Sequence, residues 1–104
     1  MKVTFRKDQR LGITIPVLQQ EWENYSPDAQ EAILLEWEAV RGIIPDRIKE
    51  IEGYIDTMQM QLNTEENFQV SCDLNDKIAD LASVINDLWL WFRYNGASIS
   101  KPHN

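Results

Sequence analysis

Four aspartates, Asp73, Asp76, Asp80 and Asp87, are the strongest candidates for chemistry in this chain. At helical spacing they share one side, and hard divalent cations take oxygen ligands. Such a face would suit a Mg²⁺- or Mn²⁺-dependent helical hydrolase. Against this, Asp73 lies four residues from Lys77, and acidic runs on exposed helices are commonly solvated. We read the aspartates as a solvated face and expect no metal and no other cofactor.

Other reactive residue types are too sparse to form a site. The one histidine, His103, lies near the carboxyl end, so a Cys–His or Ser–His–Asp arrangement would have to be built on a tail. One cysteine, Cys72, and that distant histidine do not make a zinc site. Glu-x-x-His pairs, which a carboxylate-bridged di-iron bundle requires, do not occur. The four scattered glycines form no phosphate-cradling loop. The chain is therefore expected not to be an enzyme. Cys72 has no internal partner and reads as a half-buried thiol of a reducing compartment. Glu21-Trp22-Glu23 and Glu36-Trp37-Glu38 repeat a tripeptide without further similarity, and each tryptophan reads as a core anchor with its acids in water.

The elements that carry these residues are legible from apolar spacing. Ile44, Ile48, Ile51, Ile55, Met58 and Leu62 alternate steps of four and three residues, as do Leu74, Ile78, Leu81, Ile85, Leu88 and Phe92. That spacing keeps one narrow stripe aimed at a partner helix, the seam of a helical hairpin or short coiled coil. Ser26-Pro27-Asp28 opens an earlier helix with an N-cap, a first-turn proline and an acid at the positive end of the dipole. Ala29, Ile33, Trp37 and Val40 form its face, Leu34 and Leu35 project off it, and Gly42 is expected to close it in the left-handed conformation.

Pro45-Asp46 is expected to open the second helix, which holds Gly53 in its interior, a position that suggests close approach of a neighbouring backbone or ring. Thr64, followed by Glu65 and Glu66, is the expected N-cap of the third, with Ser71 or Asp73 as alternative starts. Upstream, Val3 and Phe5, then Leu11, Ile13 and Ile15, alternate with polar neighbours, as strands around a turn do. Pro16 is expected to end that segment, and Val17 to Asn24 to form a short helix exposing Glu21 and Glu23.

The expected fold is all-α, a three-helix arrangement dominated by a long antiparallel helical hairpin, with a short β-like amino-terminal hairpin or arm. Residues 1–96 form a single domain, with the arm at 1–16 and helices at 27–42, 46–62 and 65–95. Residues 97–104 are a flexible tail. A bend near residue 63 leaves 83–95 overhanging the second helix, and Trp89, Leu90, Trp91, Phe92 and Tyr94 lie there. A two-helix seam cannot cover them all. Cover must come from Trp37 and Leu34, from the amino-terminal hairpin, or from a second copy.

Charge and hydropathy narrow the function classes. The chain carries 10 basic and 17 acidic residues for a net charge of −7. Lys2, Arg6, Lys7 and Arg10 against Asp8 give the first ten residues +3, which leaves −10 on the rest. An acidic body disfavours nucleic-acid backbones and anionic lipid surfaces, and the basic arm is expected to fold onto acid. No segment reaches the ~18 apolar residues of a membrane span or resembles a signal peptide, so a cytoplasmic protein is expected. The leading expectation is a non-catalytic adaptor or regulator that self-associates as a homodimer and binds a protein partner not identifiable from the sequence. Its interface candidates are Trp89, Trp91, Tyr94, Leu34, Leu35 and Met60. The alternatives are an acidic inhibitor that imitates nucleic acid in a basic cleft, and the divalent-metal hydrolase above.

Overall fold

Alternating apolar residues at the start of the chain form two strands, β1 (Val3–Asp8) and β2 (Ile13–Leu18). They pair antiparallel from Val3 opposite Leu18 to Asp8 opposite Ile13. Asp8 builds the connecting turn. Its side chain accepts the Leu11 N–H at 2.8 Å, and its carbonyl accepts the Gly12 N–H at 2.8 Å. Gly12 has φ 77°, the left-handed region where a side chain is strained. The computed structural model describes residues 3–94; the expected tail at 97–104 and His103 lie outside them.

β2 runs through Pro16 rather than ending there. Pro16 is buried opposite Phe5. A two-stranded sheet leaves each strand one unpaired edge, and that is where a residue without an N–H is tolerated. Val17 and Leu18 therefore belong to the strand, and only Trp22–Asn24 forms a 3₁₀ turn, with Glu21 and Glu23 exposed.

Three α-helices follow, so the protein is mostly helical with a two-stranded amino-terminal hairpin. In α1 (Pro27–Arg41) the Ser26 hydroxyl accepts the Ala29 N–H at 3.1 Å, as its cap chemistry requires. Gly42 is right-handed, with φ −64° and ψ −23°. Only Gly42 and Ile43 separate α1 from α2 (Ile44–Thr64), and the chain turns there with its N–H groups bonded back to Glu38 and Val40. α2 thus starts two residues before the expected 46. Nothing lies within 4 Å of a Cβ built on Gly53, so no close approach explains that glycine.

α3 (Phe68–Phe92) begins neither at 65 nor at Ser71 or Asp73. Asn67 is its N-cap and accepts the Val70 N–H at 3.1 Å. Thr64 stays in α2, its hydroxyl donating to the Gln61 carbonyl at 3.3 Å. Residues 65–67 are the link, and α2 and α3 pack against each other as a helical hairpin-like pair. A bend centred on residue 66 sets Ile44 level with Leu88 at equal rise per residue. The overhang is therefore a few residues beyond Leu88, not all of 83–95.

The core concentrates at the end of the pair remote from the bend. Leu11 and Ile13 from the strand hairpin, Trp37 from α1, Ile44, Ile48 and Ile51 from α2, and Val84 and Leu88 from α3 form one buried cluster with Tyr94. Trp22, Tyr25 and Ile33 form a second, with Phe5 packed against both. Towards the bend the seam is thinner: Ile55, Met58, Leu62 and Ile78 are only half-buried. The described chain extends 58 × 27 × 20 Å. Its radius of gyration of 17.6 Å exceeds the ~13 Å of a typical 100-residue globule, because the bend end projects from the core. No described helix is long and apolar enough to cross a membrane.

Candidate interaction surface

The strand turn braces the two long helices. Arg47 on α2 donates from Nε to the Leu11 carbonyl at 2.9 Å and pairs with Glu50. Arg10 donates to Asp87 Oδ2 and to Ser83 Oγ on α3, each at 2.8 Å. One residue of the basic arm thus does meet acid on the body. Its side chain and that of Asp87 are each more than a third exposed, so water screens the pair and it contributes at most ~1 kcal/mol. Between turn and helix lies a cleft of about 360 Å³ lined by Asp8, Arg10, Leu11, Ile15, Asp87, Leu90 and Trp91. Asp8 is engaged by the turn and Asp87 by Arg10, so the free wall of the cleft is mainly apolar.

The aspartate face does not assemble into a site. Asp87 pairs with Arg10, and Asp73 accepts the Gln69 side-chain N–H at 3.0 Å. Among the described residues no three His, Cys, Asp or Glu side chains come together as a metal site would need. Cys72 is free and half-buried.

Aromatic residues at the end of α3 divide between core and surface. The Trp91 ring lies 5.5 Å from Trp37 and 5.2 Å from Tyr94, and Tyr94 stands edge-on to Trp37 at 5.6 Å. Arg41 places its guanidinium 5.1 Å from the Phe92 ring and donates to the Phe92 carbonyl at 3.3 Å. A cation there also offsets the negative end of the α3 dipole. Trp89 stands edge-on to Phe92 at 5.5 Å and stays 39% exposed.

Of the six interface candidates, Tyr94 is thus buried within the chain, and Trp91 is half-buried beside it. Leu34 is half-buried against the Trp22–Tyr25–Ile33 cluster. Leu35, Met60 and Trp89 remain exposed, Leu35 at 73% and Met60 at 71%. They do not converge, because Met60 is level with Cys72 near the bend and Trp89 lies roughly 25 Å further along the pair.

A surface that these candidates touch only at Trp89 runs the length of α3. Phe68, Cys72, Asn75, Ala79, Ala82, Asn86, Trp89 and Arg93 recur at alternating steps of four and three residues. All are exposed except the half-buried Cys72, and Phe68 reaches 80%. At 100° per residue every charged residue inside α3, namely Asp73, Asp76, Lys77, Asp80 and Asp87, falls on a separate arc. The spacing that marks the seam would have found this face in the sequence. Alanine and asparagine at its centre hide it from a search for hydrophobic stripes.

No family model, curated protein or solved structure matches this chain.

Among the described groups, the one perturbed titration belongs to a buried phenol. Burial, helped by the neighbouring Tyr25, pushes the Tyr94 hydroxyl up from 10.0 to about 12. Neither that hydroxyl nor the buried Trp37 Nε1 has a hydrogen-bond partner. A phenol held neutral against indole rings is a packing element. It is neither a nucleophile nor a general base near neutral pH.

Proposed function

We propose that this protein is a non-catalytic cytoplasmic interaction protein, an adaptor or regulator that self-associates as a homodimer. In this reading the architecture is a three-helix arrangement dominated by an antiparallel helical hairpin. The hairpin presents surface, and α1 with the strand hairpin holds it rigid at one end.

The observation that carries the reading is the exposed, acid-free side of α3 in a chain of net charge −7. Exposed helix positions in so acidic a chain would ordinarily carry charge, and a lengthwise gap in it marks a contact surface. Exposed Leu35, Met60 and Phe68 add apolar area. Two-fold pairing of like surfaces is the commonest closure for such a contact. Light scattering across a dilution series tests it. The expected result is a mass that falls from dimer towards monomer on dilution, and a strict monomer at high concentration overturns self-association.

The aspartate arc of α3 supports a second reading, an inhibitor that imitates a phosphate row in a basic cleft. Salt separates the two. Binding through aspartates collapses with added salt, whereas association through the acid-free face responds much less.

A further inference from the structure

The four central side chains on the acid-free face of α3, Asn75, Ala79, Ala82 and Asn86, read the same in both directions. About a point between Ala79 and Ala82, alanine answers alanine and Asn75 answers Asn86. Cys72 then answers Trp89, and Phe68 answers Arg93. We propose that this face is the dimer contact, with α3 of one copy lying antiparallel on α3 of a second copy about a two-fold axis between Ala79 and Ala82. The proposal rests on the self-association reading and adds the surface, the orientation and the register.

A second copy is the occupant that the face fits. In antiparallel register each position meets its counterpart across the axis. The small alanines at the centre let the helix axes approach to ~8 Å, the close end of helix packing. Asn75 of one copy meets Asn86 of the other, and paired amides at buried seam positions fix register, because any slip leaves them unsatisfied. The exposed Phe68 ring meets the Arg93 guanidinium of the other copy, an arrangement cations and ring faces favour. Trp89, 39% exposed in one copy, lies over Cys72 of the other.

Charge points to the same occupant. Two copies of an acidic chain repel unless the contact excludes carboxylates, and the aspartates of α3 all lie off this face. Arg10, bound to Ser83 and Asp87, marks the aspartate-side margin of the face. The contact is modest. A 25-residue helix is about 37 Å long and roughly 10 Å wide. One helix-on-helix contact of that footprint falls short of the ~800 Å² per partner of a standard interface. The dimer is therefore reversible and concentration-dependent.

Two sets of variants test the proposal. Ala79→Glu with Ala82→Glu places four carboxylates at the axis of the dimer. Both sites are exposed, so helical circular dichroism should match wild type, as should the melting temperature at concentrations where wild type is monomeric. Dimer dissociation should weaken more than about tenfold, since juxtaposed like charges cost several kcal/mol. In a Cys72→Ser background, chains carrying Asn75→Cys and chains carrying Asn86→Cys are mixed and oxidised. The expected product is the mixed disulfide, with little Asn75→Cys homodisulfide, because those two sites lie ~16 Å apart along the axis.

An undiminished dimer in the glutamate variant, without the mixed disulfide, overturns this contact and leaves self-association to another surface. An Asn75→Cys homodisulfide as the main product overturns the antiparallel register. A wild-type chain monomeric at every concentration removes both this inference and the functional reading beneath it.

Discussion

Replacing Tyr94 by phenylalanine deletes one oxygen and leaves the ring contacts with Trp37 and Trp91 in place. That oxygen is buried without a hydrogen-bond partner. A hydroxyl taken out of water and left unpaired costs ~1–3 kcal/mol, so Tyr94→Phe should raise stability at pH 7 by about 1 kcal/mol. The pH dependence gives an independent check. In the unfolded chain the phenol ionises near 10.0, and in the folded chain only near about 12. Between these values the unfolded state has lost its proton while the folded state still holds it, so stability falls as pH rises. With those two values the loss is about 1.4 kcal/mol by pH 11. Urea unfolding of both proteins at pH 7, 9, 10 and 11 should show the advantage of the variant growing across this window. A gap that stays flat from pH 9 to 11, or a variant less stable than wild type at pH 7, would mean that the Tyr94 hydroxyl is solvated or bonded in solution.

Two glycines respond in opposite directions. Gly53→Ala puts a methyl into open space within the α2 interior, and should add up to ~1 kcal/mol; for a domain of this size that raises the melting temperature by roughly 4–8 °C. A fall in calorimetric melting temperature would show that something packs on Gly53 in solution. Gly12→Ala should destabilise by about 1–2 kcal/mol from the positive φ alone. The added Cβ would also lie 2.5 Å from Arg47 Nε, and unchanged urea unfolding would refute the turn geometry.

What the sequence revealed depended on whether the governing contacts were local. The four-and-three spacing placed α2 and α3, and the Ser26-Pro27 signal placed the start of α1, because both rest on neighbours within a turn or two. The buried side of α3 keeps Leu74 and Leu88 of the expected stripe but is turned from its centre by roughly 40° at 100° per residue. Val84 is buried with Leu88, whereas Ile78 and Ile85 are only half-buried. Leu11, Ile13 and Trp37 join the cluster from elements outside the hairpin, and no spacing within α3 encodes them. The α3 start was missed because Thr64 and Asn67 both suit an N-cap, and local sequence does not say which one the link uses. Gly42 stayed right-handed because the two-residue connection leaves no room for a left-handed stop. Among the interface candidates, Leu35, Met60 and Trp89 were legible as surplus apolar surface. The α3 face was not, because asparagine and alanine announce a contact only when the charged residues around them are mapped.

The uneven core gives the proposed pairing a physical role. The buried residues from the strand hairpin and α1 gather at the end of the pair that holds Ile44 and Leu88. Beyond Ile55 and Ile78 the two helices have only each other, with Leu74 the one buried side chain, and so thin a two-helix seam is the least stable part of such a fold. Antiparallel contact along α3 lays the bend end of each copy beside the braced end of the other. Phe68, the most exposed large apolar side chain among the described residues, then meets Arg93 of the other copy. The acids held on the far arc let the copies approach, and the alanines at the axis bring them close. A parallel pairing would instead set the two weakly packed ends together and leave both unsupported. Within the proposed pairing, the same distribution of core therefore favours the antiparallel direction over the parallel one.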